Sequence, residues 1–150
     1  MILPIRNLFA IFLRQSAIFV EIQNMKDYKA YFIIPAAPSQ VYLALTTETT
    51  INLWTGEEAT MSPIPGTEFS LWSGSIVGKN LAFEPDKKIE QEWYFGDGPD
   101  RSIVTIKLHE HRQGTSMEVR QSNIPDEVYE EIVEGWRDTY AAALVDFYTE

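Results

Sequence analysis

Hydrophobic and polar residues alternate along much of the chain from Tyr28 onward, which is typical of half-buried β-strands. The first alternating stretch ends with Ile34, directly before Pro35. Turn-forming Gly, Pro, Asp and Ser residues separate six further strand patterns, at residues 59–61, 68–72, 75–83, 88–95, 102–111 and 116–121. Because such short connections cannot make parallel crossovers, we predict an antiparallel meander.

Three stretches have helical patterns. A short helix is predicted from Pro38 to Leu45, and a second covers 47–54 and stops at Gly56. A long final helix is predicted at 126–148, where one stripe carries Val128, Ile132, Gly135, Trp136, Tyr140, Ala143 and Phe147. Because glycine lowers helix propensity, its presence beside Trp136 predicts that the helix backbone lies close against the sheet there.

The order of these elements predicts an α+β fold. A strand, two short helices, a meander and a long helix suggest a curved antiparallel sheet around the final helix, with an apolar cavity between them. The alternation predicts that one phase faces this interior: Phe69, Leu71, Ile89, Gln91, Trp93, Phe95, Val104, Ile106, Leu108, Met117, Val119 and Gln121. The opposite phase should be solvated: Glu90, Glu92, Lys107, Glu118 and Arg120.

Residues 1–24 differ in character from the rest of the chain. They are rich in Ile, Leu and Phe and carry a net charge of +1, which leaves −11 on residues 25–150. Arg14 and Gln15 interrupt the apolar run, and no small-residue cleavage site follows Val20. We interpret this stretch as an extension upstream of a single domain at 25–150. A poor signal or membrane-surface segment and an integral first helix are the alternatives.

Composition and charge exclude some classes of function and disfavour others. A chain of 150 residues fits one domain, and the absence of cysteine excludes disulfides, thiolate metal sites and cysteine nucleophiles. The formal net charge of −10 disfavours binding to nucleic acid or to anionic membranes. Aromatic residues make up 13% of the chain, with four Trp, and such rings either fill a core or line an apolar pocket.

Few polar motifs point to chemistry. His109 and His111 share a strand face that is predicted to be exposed, and no third metal ligand accompanies them. The turn at 96–100 offers too few oxygens for calcium, and the glycines at 74–78 connect two strands rather than open a phosphate-binding helix. The glutamates at 127–134 are most simply a solvated helix face, with a docking surface for a basic partner as the alternative. We therefore predict no catalytic set, no metal and no cofactor.

Aromatic residues are the remaining candidates for function. Trp54, Trp72, Trp93, Trp136 and Tyr140 are candidates to line a pocket, with Gln91 and Gln121 as polar anchors. The simpler alternative is that these rings fill the core. The complete set of predicted cavity residues is Trp54, Phe69, Leu71, Trp72, Gln91, Trp93, Met117, Gln121, Trp136 and Tyr140.

An ordered series of short motifs over residues 28–149 resembles one known family. The motifs are Pro38-Ser39-Gln40-Val41-Tyr42, Leu53-Trp54, Gly66-Thr67-Glu68-Phe69, the stretch 74–80, Pro85, Ile89, Trp93, Thr105, Gly114-Thr115, Ile124-Pro125 and Gly135-Trp136. The chain resembles the C-terminal domain of activators of the Hsp90 ATPase, within the helix-grip superfamily of START-like and Bet v-type domains. Residues 1–24 resemble nothing in that family. The resemblance does not extend to the separate N-terminal domain of the eukaryotic activators, which is important for chaperone stimulation, and we expect this chain to lack it.

The resemblance implies a helix-grip fold and three functional hypotheses. The first is a non-enzymatic module that binds a small apolar molecule, linked to an Hsp90-type chaperone or a stress response. The second is a protein-interaction module with a filled core, whose acidic face docks on a chaperone. The third is an enzyme of the cyclase or dehydratase sort, which ranks last because the inward phase contains no acid or base. We expect a cytoplasmic monomer or weak dimer.

Overall fold

In a computed structural model, which describes residues 25–149, six antiparallel strands form a single sheet in the order β1-β6-β5-β4-β3-β2. The strands are β1 (Lys26–Ile34), β2 (Glu68–Leu71), β3 (Ile76–Glu84), β4 (Lys88–Tyr94), β5 (Arg101–His111) and β6 (Gly114–Ile124). Consecutive strands from β2 to β6 pair as neighbours, and β1 pairs with β6 as the edge strand opposite β2. The antiparallel meander is thus confirmed.

Two short helices connect β1 to the meander. Helix α1 spans Pro38–Thr46 and α2 spans Glu48–Thr55, each within one residue of its predicted limits. The backbone N–H of Ala37 donates to Gln40 Oε1, which closes the first turn of α1. Helix α2 ends at Gly56, whose φ of 74° is the left-handed conformation that glycine adopts at low cost.

The long final helix begins after a short 3₁₀ turn at Asp126–Val128 and is not uniform. It is α-helical over Tyr129–Glu134, π-helical over Gly135–Ala141 and α-helical again over Ala142–Tyr148. The inserted π turn was not predicted, because the spacing of apolar residues does not distinguish one wide turn from an ordinary one. The predicted contact between Gly135 and the sheet is wrong, since a Cβ atom added there would meet nothing within 4 Å.

The concave face of the sheet and the final helix share one hydrophobic core. The predicted inward residues of β2, β5 and β6 are all buried, as are Ile89, Gln91 and Trp93 of β4. Trp136, Tyr140, Ala141 and Leu144 bring the buried face of the final helix onto them. The alternation therefore predicted the inner face of the sheet correctly.

Two predictions about individual segments are wrong. Residues 59–61 do not form a strand but make one isolated bridge, between Thr60 and Ser70. The pairing does not continue, because the Ser62 carbonyl, next in the ladder, accepts hydrogen bonds from the side chains of Asn80 and Thr67 instead. Glu118, which the alternation predicts on the solvated face, is only 5% exposed. Its carboxylate is hydrogen-bonded to His109 and Arg120, and such bonds offset the free-energy cost of burying a charge.

Gly78 of β3 lies where two strands and a side chain leave no room for a Cβ atom. A Cβ atom there would lie 2.0 Å from the backbone oxygen of Glu92 and 2.8 Å from the Phe69 ring. The register of β3 against β4 also shifts between Asn80 and Ala82, which marks a bulge. Close approach and a bulge together curve this side of the sheet around the helix.

The division at residue 24 lies outside the described residues, so it stays a prediction. Within residues 25–149, no helix has both the length and the apolar character needed to span a membrane.

Candidate functional site

A cavity of about 430 Å³ lies between the final helix and the half of the sheet formed by β2, β3 and β4. It falls within the roughly 300–1,000 Å³ that is typical of small-molecule sites. Its walls come from the loop after α2, the connection between β2 and β3, the end of β4 and the first half of the final helix. The lining residues are Glu57, Trp72, Ser75, Ile76, Trp93, Tyr94, Phe95, Val128, Glu131, Ile132, Gly135, Trp136, Thr139 and Tyr140.

Two stacked tryptophans form the inner wall of this cavity. The rings of Trp93 on β4 and Trp136 on the final helix lie 5.1 Å apart with an angle of 17° between their planes. Trp136 also packs against Tyr140 one turn later, with ring centroids 4.5 Å apart. These contacts fix the helix to the sheet at the cavity.

Each indole N–H of this pair donates to a buried glutamine. Trp93 Nε1 lies 3.0 Å from Gln91 Oε1, and Trp136 Nε1 lies 2.7 Å from Gln121 Oε1. The amide nitrogens donate onward, from Gln91 to Asn80 Oδ1 and from Gln121 to Ser102 Oγ, each at 3.1 Å. Both glutamines are therefore bonded to the protein and serve to orient the tryptophans.

Trp72 forms the opposite wall in a strained backbone conformation. Its φ of 49° lies in the left-handed region, which bulky residues rarely adopt. This conformation places the indole 5.4 Å from the Trp54 ring and 5.5 Å from the Tyr140 ring. Trp54 is anchored separately, because its Nε1 donates to the Ala44 carbonyl at 2.7 Å.

Tyr140 presents the one phenol at the centre of this aromatic cluster. The residue is only 4% exposed, and burial raises the pKa of its hydroxyl far above the ordinary value. The hydroxyl has no hydrogen-bond partner among residues 25–149, yet no side-chain nitrogen or oxygen in that range is both unpartnered and fully buried. It therefore keeps accessible surface, and the cavity is the open space that Tyr140 borders.

The predicted cavity residues occupy two zones. Trp72, Trp93, Trp136 and Tyr140 line the cavity. The other six lie outside the lining, in the surrounding core and its polar network: Trp54, Phe69, Leu71, Gln91, Met117 and Gln121. The apolar stripe and the inward phase already contained Phe95, Val128, Ile132 and Gly135 of the lining. Sequence reasoning missed Glu57 and Ser75, because loop residues carry no periodic signal, and Glu131, because the exposed face of the final helix looks merely solvated.

A second polar cluster lies on the outer face of the sheet. Glu118 receives hydrogen bonds from Arg120 Nε at 2.6 Å and pairs with His109 Nε2 at 2.9 Å. Burial opposes ionisation of Glu118, but the bonds from His109 and Arg120 outweigh it and hold its pKa below the ordinary value. Nowhere in the described part of the chain do three or more His, Asp or Glu side chains converge as a metal site requires.

Comparison with known proteins adds family information to this geometry. A family model described as Activator of Hsp90 ATPase homolog 1-like protein matches residues 35–148. The activator of 90 kDa heat shock protein ATPase homolog from Dictyostelium discoideum is 27% identical over 104 residues, covering 67% of this chain and 27% of that protein. The matches span between 27% and 34% of the length of the curated relatives.

Solved structures share the same fold. An HSP90 activator from Plasmodium falciparum, PFC0360w, superimposes with a TM-score of 0.69 at 25% identity, covering 75% of this chain and 89% of that one. Protein MLL2253 from Mesorhizobium loti gives a TM-score of 0.69 at 26% identity, covering 82% of this chain and 98% of the other. The shared helix-grip fold therefore extends over 89% of the Plasmodium falciparum chain and 98% of the Mesorhizobium loti chain.

Proposed function

The chain belongs to the family of Activator of Hsp90 ATPase homolog 1-like proteins, and from that premise we propose that it is a non-enzymatic domain that binds a small apolar molecule. The observation that carries this proposal is the aromatic cavity of about 430 Å³ between sheet and helix. Concave apolar space with a few polar groups is the usual form of a small-molecule site.

The polar groups around the cavity favour binding over catalysis. A general acid or base must lie within hydrogen-bond reach of a reacting atom and have a matched pKa. Here the inner glutamines are engaged by the tryptophans, and the carboxylates of Glu57 and Glu131 lie on exposed residues at the rim. The inner surface therefore offers shape and apolar contact more than proton transfer.

A link to an Hsp90-type chaperone is proposed from the relatives. The protein from Dictyostelium discoideum and the one from Plasmodium falciparum are both named as activators of the chaperone. We propose that this chain acts beside such a chaperone as a ligand-responsive domain.

The neutral fluorescent probe N-phenyl-1-naphthylamine tests the binding proposal. We expect saturable fluorescence enhancement with one probe per chain. Gly135→Phe should abolish it, because Gly135 faces open cavity and has no atom within 4 Å of an added Cβ. Gly135→Ala, which adds only a methyl group, should weaken binding much less.

A surface control separates the cavity from non-specific adsorption. Leu53 is 71% exposed and lies outside the cavity lining, so Leu53→Ser should leave probe binding unchanged. Absence of saturable binding, or equal binding by Gly135→Phe, would overturn the proposal. Circular dichroism of each variant checks that it has folded.

A second candidate, a protein-interaction module, is favoured by the names of the same relatives. Titration of the purified Hsp90-type chaperone from the same host with this protein, at low and high salt, tests it. Salt-sensitive binding that persists in Gly135→Phe would support docking through the acidic surface. Absence of binding at both salt concentrations would refute this candidate.

A further inference from the structure

In the part of the chain that the structure describes, the cavity lining contains negative charge and aromatic rings but no positive charge. Six aromatic residues border it: Trp72, Trp93, Tyr94, Phe95, Trp136 and Tyr140. Within residues 25–149, Glu57 and Glu131 are the charged residues in the lining, and no Lys, Arg or His of that range accompanies them. No lining side chain of that range therefore offers a counter-charge to an anionic ligand.

The two carboxylates approach the cavity from different elements. Glu57 follows α2 in the loop, whereas Glu131 lies in the first part of the final helix. Neither forms an ion pair with any residue in the range 25–149. Both charges therefore remain available at the rim, in a chain whose net charge is −10.

The interior adds one observation that points to the same ligand chemistry. Tyr140 is 4% exposed and its hydroxyl bonds to none of residues 25–149, so it offers a polar contact inside an otherwise apolar space. At the edge of the cavity, the ring of Tyr94 is already paired with the Arg101 guanidinium, 4.4 Å from its centroid, so the faces open to a ligand are those of the other aromatic residues. That guanidinium also donates to the carbonyls of Gly98 and Asp100, so it is held by the loop that precedes β5.

Aromatic faces carry negative electrostatic potential and attract ammonium groups, most strongly where water is excluded. Carboxylates at the mouth of a low-dielectric cleft add to this attraction and raise the local concentration of cations. We propose that the ligand class of this cavity is a small organic cation, in which an ammonium group is carried by an aromatic or aliphatic body. This inference rests on the proposed binding function and specifies its ligand.

Competition against bound N-phenyl-1-naphthylamine tests the charge preference. Three probes share a benzyl group and differ in charge: benzyltrimethylammonium, benzyl alcohol and phenylacetate. We expect the cation to displace the dye at concentrations about ten-fold lower than the anion and about three-fold lower than the alcohol. Raising the ionic strength should narrow the difference between cation and anion.

Matched variants locate the effect at the rim. The double variant Glu57→Gln with Glu131→Gln should weaken the cation about three- to ten-fold and leave benzyl alcohol unchanged. The double variant Glu127→Gln with Glu134→Gln changes net charge equally at exposed residues outside the lining, and it should leave the cation unchanged.

The outcomes distinguish this inference from the function on which it rests. Dye binding that is lost in Gly135→Phe, together with equal displacement by all three probes, would overturn the cation preference and leave the apolar binding function standing. Equal weakening by both double variants would also overturn it, since net charge rather than the rim would be responsible. Failure of the dye to bind the parent protein would overturn both proposals.

Discussion

The hydrogen bond between Trp136 and Gln121 should appear as a coupling free energy in a double-mutant cycle. Both residues are at most 2% exposed, and the bond from Trp136 Nε1 to Gln121 Oε1 measures 2.7 Å. Gln121→Leu removes the acceptor and leaves the indole N–H buried without a partner. An orphaned buried donor costs about 1–3 kcal/mol, so we expect the free energy of unfolding to fall by about that amount.

Trp136→Phe leaves the complementary defect. The phenyl ring has no N–H group, so the amide oxygen of Gln121 loses its donor, and the missing part of the indole leaves space beside Trp93. In the double variant, neither an orphaned donor nor an orphaned acceptor remains. Its loss of stability should therefore be smaller than the sum of the two single losses by about 1–3 kcal/mol.

Urea unfolding followed by far-ultraviolet circular dichroism measures all four corners of the cycle. Similar m-values across the set would show that the denatured states are comparable. The pair Trp93 and Gln91, joined at 3.0 Å, provides an independent second cycle in the same protein. Additivity within about 0.5 kcal/mol in both cycles would refute the view that the glutamines orient the tryptophans.

Three further predictions concern single positions. Tyr140→Phe should leave the free energy of unfolding within about 0.5 kcal/mol of the parent in urea, because the hydroxyl bonds to none of residues 25–149; a larger loss would contradict its open placement. Gly78→Ala should cost at least about 2 kcal/mol through its backbone clash, whereas Gly135→Ala should stabilise by up to about 1 kcal/mol. The reverse order in thermal unfolding would refute both glycine assignments. The pKa of Glu118 is lowered on folding, so its contribution to stability is present above the ordinary value of 4.5 and is lost as the pH falls through the lowered pKa. Glu118→Gln should therefore reduce the acid sensitivity measured by unfolding at successive pH values, and an unchanged profile would contradict this role.

Alternation predicted the inner face of the sheet because each strand has one buried side, and burial follows the period of two wherever that holds. It failed at Glu118, whose burial depends on His109 across the strand pair and on Arg120 two residues away. Pairing of that kind depends on register, which a single strand pattern does not specify.

The candidate site was predictable only in its aromatic wall. Trp93, Trp136 and Tyr140 fall on predicted inward positions, and they meet because a strand and a helix each have one apolar face. The rim depends on loop residues such as Glu57 and on the π turn, where Gly135 faces open space instead of the sheet. Neither feature follows from periodicity, because loop paths and helix width are set by tertiary packing.

The position of β1 beside β6 has a consequence for how the chain folds. The five strands from β2 to β6 are joined by short connections, but Lys26 pairs with Ile124 and Ile34 pairs with Thr115. Closing so long a loop costs chain entropy, and contacts of high sequence separation slow folding. We expect the meander to form first and β1 to dock afterwards on its edge. On the ribosome, β1 emerges before its partner, so its apolar face has no strand beside it until Gly114–Ile124 has been synthesised.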